Sequence, residues 1–177
     1  KYALHGIILH EIFDKYSHLT NFVKEDLQND FIKRWNEEKG DITQQLDEQL
    51  QEKGYNAING FMEFYNSVGL PYITEENIIF TVDETLPQVS ITMDRIDKDD
   101  MGDLHLYDYK CGNVFTGKKL EEDLQLPLYC HAVYTKYGIM PKTFTFLFVS
   151  EGKERKYTLV DDMTYECVVR KRVYTIN

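Results

Sequence analysis

Two acidic strands flank residue 101. From Ser90 to Gly112 the sequence runs S-I-T-M-D-R-I-D-K-D-D-M-G-D-L-H-L-Y-D-Y-K-C-G. Side chains alternate along a strand, so Leu104, Leu106, Asp108 and Lys110 share one face. That face begins apolar and ends with a carboxylate and an ammonium group two positions apart. A hairpin centred on Met101 puts Asp94 opposite Asp108. Two carboxylates meeting on a sheet repel unless a cation lies between them, and hard divalent cations favour such oxygen ligands. Asp-x-Lys by itself is weak, because an acid and a lysine two apart on an exposed strand usually form only a surface ion pair.

Two further groups carry chemistry. His10 stands one turn after Gly6 on a helical stretch, beside apolar Ile7, Leu9 and Phe13. A histidine there is ordinarily a packed residue, yet it can supply a nitrogen ligand. Gln125 and Tyr129 are four apart and share a helical face. Their ordinary reading is a polar helix start followed by core packing of Leu126, Leu128 and Tyr129, with Pro127 tolerated only near the first turn or at a kink.

The elements that must position these residues follow from periodicity. Apolar residues at helical spacing predict helices over 6–16, 21–38 and 42–68. Asn21 is the expected cap and Gly40 the expected stop of the second, and Gly54 a candidate break in the third. The period then changes to two, predicting strands over 72–83, 88–97 and 104–111 with turns at Leu86-Pro87 and 98–103. A helix is expected over 119–137, strands over 143–149 and 154–160, and a last helix over 162–174. Helices, a three-strand meander, a helix and more strands make an α+β or mixed α/β domain. The helix between the third and fourth strands permits a crossover, so part of the sheet is expected to be parallel.

Composition bounds the rest. At 177 residues, 42% hydrophobic and 28% charged, the chain suits one folded domain with its own core. It comprises a helical part, 1–70, and a sheet-bearing part, 71–177. Opening on Lys1, it is compatible with a piece of a longer protein. No apolar run approaches the roughly 18 residues of a membrane span, and the first residues do not read as a signal peptide. Cys111, Cys130 and Cys167 are too few and too widely spaced for a disulfide framework or a paired-cysteine zinc site, which points to reduced thiols and a cytoplasmic protein.

In order, Gly6–His10, Met93-Asp94-Arg95-Ile96-Asp97, Asp108-Tyr109-Lys110-Cys111-Gly112 and Gln125–Tyr129 resemble the motifs of the RecB-like exonuclease branch of the PD-(D/E)XK nuclease superfamily. That branch carries a GxxxH helix, a strand written G-x-I-D-R-I-D, a D-Y-K-T-G strand and a Q-x-x-x-Y helix. Thr92 stands where the family often has Gly, and Cys111 where it has Thr; neither change removes a ligand. The resemblance implies a restriction-endonuclease-like core, a central mixed sheet flanked by helices. It also implies Mg2+- or Mn2+-dependent hydrolysis of DNA. His10, Asp94, Asp108 and the backbone carbonyl of Tyr109 would bind the metal, the nitrogen ligand favouring Mn2+. Lys110 would orient the attacking water or stabilise the transition state, and Gln125 and Tyr129 would position the site and the DNA backbone. Glu75 or Glu76 would reach the site through a water, and Arg95 with Asp97 would form a structural ion pair. The four cysteines of the iron–sulfur members have no match here, so no cluster is expected in this chain.

The relatives this resemblance points to act on DNA ends or single strands in recombination, repair, phage or CRISPR DNA processing, some beside a helicase partner. Two rivals stand beside an exonuclease: a catalytically weak nuclease-fold module that binds DNA or a partner of a helicase–nuclease complex, and a metal-binding regulatory module. The formal net charge of −10 weighs against broad, non-specific nucleic-acid binding. The acidic excess lies ahead of residue 118, however. Lys118-Lys119, Lys153/Arg155/Lys156 and Arg170-Lys171-Arg172 are local basic groups able to meet phosphates.

Overall fold

Apolar residues recurring every three or four positions make three helices of the first seventy residues. A computed structural model describes residues 1–81, 87–112 and 125–158. In it α1 spans Tyr2–Ser17, α2 Lys24–Glu38 and α3 Gln44–Val68. The later elements are β1 (Ile73–Phe80), β2 (Val89–Lys98), β3 (Leu104–Tyr109), α4 (Gln125–Tyr137), β4 (Thr143–Phe148), a 3-10 turn (Val149–Glu151) and β5 (Lys153–Thr158). The five strands form one sheet in the order β1-β2-β3-β4-β5. The β1/β2 and β2/β3 pairs are antiparallel. The Lys110 amide donates to the Leu147 carbonyl (2.7 Å) and the Val149 amide to the Lys110 carbonyl (3.2 Å), the pattern of a parallel pair. The result is the expected mixed α+β architecture. The last predicted helix, residues 119–124 and 159–160, and the start of the 86–87 turn lie outside the described residues.

Contacts divide the chain into two units. The first holds residues 1–71 with 109–112 and 146–154. Its core is built from Ile8, Leu9, Ile12 and Phe13 of α1, Leu27, Phe31 and Trp35 of α2, and Leu50, Ala57, Ile58 and Phe61 of α3, all nearly sealed from solvent. Three details correct the sequence reading. The cap of α2 is Val23 rather than Asn21, because the Asp26 carboxylate turns back to accept the Val23 amide at 2.9 Å. Helix α1 begins at Tyr2, well before residue 6. Gly54 does not break α3: a Cβ there would stand 2.2 Å from the Phe31 ring, so the glycine lets two helices approach.

The second unit holds 72–81, 87–108, 125–145 and 155–158. Here α4 packs on β1 and β2. The β2–β3 turn is fixed chemically. Asp99 accepts the amides of Met101 (3.0 Å) and Asp103 (2.9 Å), and Gly102 takes φ +88. His105 reaches Asp99 at 3.2 Å and the Thr143 hydroxyl at 2.8 Å. The hydrogen bond with His105 is the main reason the Asp99 carboxyl is held below its ordinary value.

Asp47, in the first turn of α3, ties the helical unit together. Its carboxylate accepts from the Trp35 indole (2.7 Å) and the Gln51 amide (2.9 Å) and pairs with Lys39. Lys39 foremost, then Gln51 and Trp35, hold its pKa at about 2 instead of 3.8. A lowered folded-state value stabilises the fold above the unfolded value, and that contribution disappears as pH falls through the folded one. Urea unfolding should therefore show Asp47→Asn less stable than wild type at pH 7 by about 1 kcal/mol after solvent screening. The difference should close as pH falls from about 4 towards 2. A gap that persists undiminished at the lowest pH would contradict the assignment.

Candidate metal centre

The turn sets the register, and the register gathers the acids. Partners run Arg95↔Tyr107, Ile96↔Leu106, Asp97↔His105 and Lys98↔Leu104. One more step puts Asp94 opposite Asp108, the pairing the sequence predicts about Met101. Both are buried, at 8% and 3% exposure. On the other side of β2, Thr74↔Arg95 and Glu76↔Met93 bracket Glu75, which therefore stands level with Asp94. Carboxylate oxygens of Glu75 and Asp94 come within 4.8 Å of each other. Three acids thus lie in a row across three adjacent strands. Glu75 is also the one non-glycine residue with positive φ (45°) among the described residues. Such backbone is uncommon outside glycine and concentrates where function holds it.

The sequence left Glu75 and Glu76 undivided; the structure separates them. Glu76 pairs with Lys136 and accepts from the Tyr137 hydroxyl at 3.2 Å, so α4 uses it structurally. Strand alternation carries the signal: Glu76 shares parity with buried Ile78 and Phe80, while Glu75 does not.

Tyr129 sits against the acids within this unit. Gln125 donates to its hydroxyl at 3.3 Å, as their spacing on α4 predicts. Burial first, then the charges of Asp108 and Asp94 and a hydrogen bond to Asp108, push its pKa far up. It remains a phenol that donates to the carboxylate, with the ring packed on Phe144 (5.8 Å). Arg95 is fully buried and donates from Nε to Asp97 at 2.7 Å, the expected ion pair. Burial is the main reason the Asp97 carboxyl is raised, against the lowering pull of Arg95.

His10, Tyr109 and Lys110 belong to the helical unit. The Tyr109 ring is caged by Phe13 (5.7 Å), Phe61 (5.8 Å), Phe64 (6.1 Å) and His10 (6.3 Å). This anchors the backbone from which Lys110 extends, its ammonium 5.4 Å from the centre of the Phe146 ring.

Carboxylate oxygens set at one level of a sheet, those of Glu75 and Asp94 within 4.8 Å of each other, suit a hard divalent cation such as Mg2+ or Mn2+. Without a cation, two nearly sealed carboxylates face each other. Asp108→Asn should therefore unfold later than wild type in urea containing EDTA, by about 1–3 kcal/mol. A destabilised variant would mean that the acids do not strain the metal-free fold.

No helix of the described residues is long and apolar enough to cross a membrane. A search of curated proteins finds no match. The description of the PD-(D/E)XK nuclease superfamily matches residues 3–174, which include all four motifs and every acid of the carboxylate row. The chain belongs to the PD-(D/E)XK nuclease superfamily.

Proposed function

We propose that the protein is a metal-dependent deoxyribonuclease acting on linear DNA as an exonuclease. Membership of the superfamily implies a nuclease that binds DNA. What carries the finer reading is the row of Glu75, Asp94 and Asp108 at one level of three strands, followed in the chain by Lys110. Asp94 and Asp108 would hold Mg2+ or Mn2+, with Glu75 as a third oxygen donor. His10 enters as a nitrogen ligand, and the Tyr109 carbonyl as a further oxygen, on their sequence motifs. When bound, the cation supplies positive charge at the scissile phosphate and makes water a better nucleophile.

The side chains divide the remaining work. Lys110 donates to the attacking water or to the oxygen that gains charge as the phosphorus–oxygen bond breaks. Tyr129, kept protonated, holds Asp108 by its hydroxyl, and Gln125 holds Tyr129. Arg95 with Asp97 keeps β2 in place from inside the sheet unit. The order of the motifs supports action on DNA ends or single strands, in recombination, repair or phage or CRISPR DNA processing, with a helicase as the fitting partner. Exposed Lys153, Arg155 and Lys156 on β5 offer phosphate contacts.

Labelled linear and circular DNA, incubated with Mg2+, Mn2+ or EDTA, tests this. Linear DNA should be degraded with either cation and left intact in EDTA. Lys110→Ala and Asp108→Ala should each lower the rate at least about 100-fold. Unchanged degradation in these variants would remove the site assignment, and equal cutting of circular DNA would replace the exonuclease with an endonuclease.

A further inference from the structure

Three glycines lie inside the long helices, and two have an internal reason. A Cβ at Gly54 would meet the Phe31 ring at 2.2 Å, and one at Gly60 would meet the Val149 carbonyl oxygen at 2.1 Å. Gly6 differs: among the described residues, no atom lies within 4 Å of the Cβ it lacks. Glycine inside a helix is less stable than alanine, so α1 carries this cost with no packing return from the described residues. Gly6 is four residues after Tyr2 and four before His10, so the three form one stripe along α1. Tyr2 is 65% exposed, and the Lys53 ammonium from α3 stands 5.9 Å from the centre of its ring. An open aromatic face, a cation and a gap in side-chain cover are what a single nucleic-acid strand needs, for stacking, phosphate pairing and close approach.

We propose that a single DNA strand crosses α1 at Gly6, its sugar–phosphate backbone lying against the helix where the side chain is missing, with Tyr2 and Lys53 gripping it one turn away. Gly6 is then a positioning residue that admits the strand towards His10. The proposal rests on the nuclease reading above and names the path of its substrate.

The test compares wild type with Gly6→Ala, Gly6→Gln and, as a packing control, Gly60→Ala. Three quantities are measured: thermal unfolding, binding of a fluorescein-labelled single-stranded oligonucleotide in EDTA, and kcat and KM for its cleavage with Mn2+. Gly6→Ala should melt about 2 °C higher than wild type, the gain expected for a compatible alanine in a chain of this size. It should bind the oligonucleotide roughly fivefold more weakly, with the loss of cleavage falling mainly on KM; Gly6→Gln should lose more. Gly60→Ala should melt lower. A Gly6→Ala variant that melts below wild type would show that the chain itself fills the space, and unchanged binding and KM would show that no strand passes there; either overturns the proposal. If wild type binds the oligonucleotide but cleaves none, the nuclease reading falls while the binding comparison still decides Gly6. If wild type neither binds nor cleaves it, both fall.

Discussion

Asp94 and Asp108 face each other across a β-ladder while nearly sealed from water, and most of the second unit can be understood as holding them there. Two carboxylates on facing positions of a ladder repel each other when both are charged, and burial weakens the screening that water would supply. A chain would not retain that cost as packing, since apolar residues at both positions would bury better. The cost is bearable because the register has no freedom to slip. Asp99 closes the turn on two amides, and His105 fastens Asp99 while bonding Thr143. A slip of one residue would turn Leu104 and Leu106 out of the core together with Asp108. The hydrophobic face and the acidic site are therefore enforced by the same pairing.

The three residues Asp108-Tyr109-Lys110 show how alternation divides labour within a motif. Asp108 belongs to the sheet unit and joins the carboxylate row. Tyr109 is caged by the rings of the helical unit and carries no charge into it. Lys110 returns to the parity of Asp108 and is held through its backbone by Leu147 and Val149. Within the helical unit the tyrosine thus reads as an anchor for the chain that continues into Lys110. An acid and a base two residues apart on a free strand would be a weak surface pair.

The sequence made these residues legible to different degrees, for physical reasons. Register about Met101 was an assumption in the sequence; the five-residue connection 99–103 fixes it through the Asp99 bonds to Met101 and Asp103, and the pairs from Lys98↔Leu104 to Arg95↔Tyr107 agree with it. The i, i+4 pair Gln125 and Tyr129 followed from helix geometry, and the structure bonds them. Helix edges were less legible: the cap of α2 depends on which carboxylate wins the Val23 amide, and Asp26 is favoured by reaching back three residues. Gly54 looked like a break because glycine's meaning depends on what packs against it, which sequence does not carry. Glu75 was visible as a candidate but undivided from Glu76, since the backbone twist that turns it to positive φ leaves no mark in residue type.

The net charge of −10 bears on the grip of such an enzyme more than on its chemistry. At physiological salt, charges are screened over roughly 8 Å, so a phosphate at the site responds to the groups around it and little to the total. Near the carboxylate row that local field is negative until a cation arrives. On the nuclease reading, a cation at the row would draw a phosphate more strongly than the bare carboxylates do, adding to whatever grip other groups supply without metal. Basic residues elsewhere, such as exposed Lys153, Arg155 and Lys156 on β5, would on the same reading slow the escape of a bound strand.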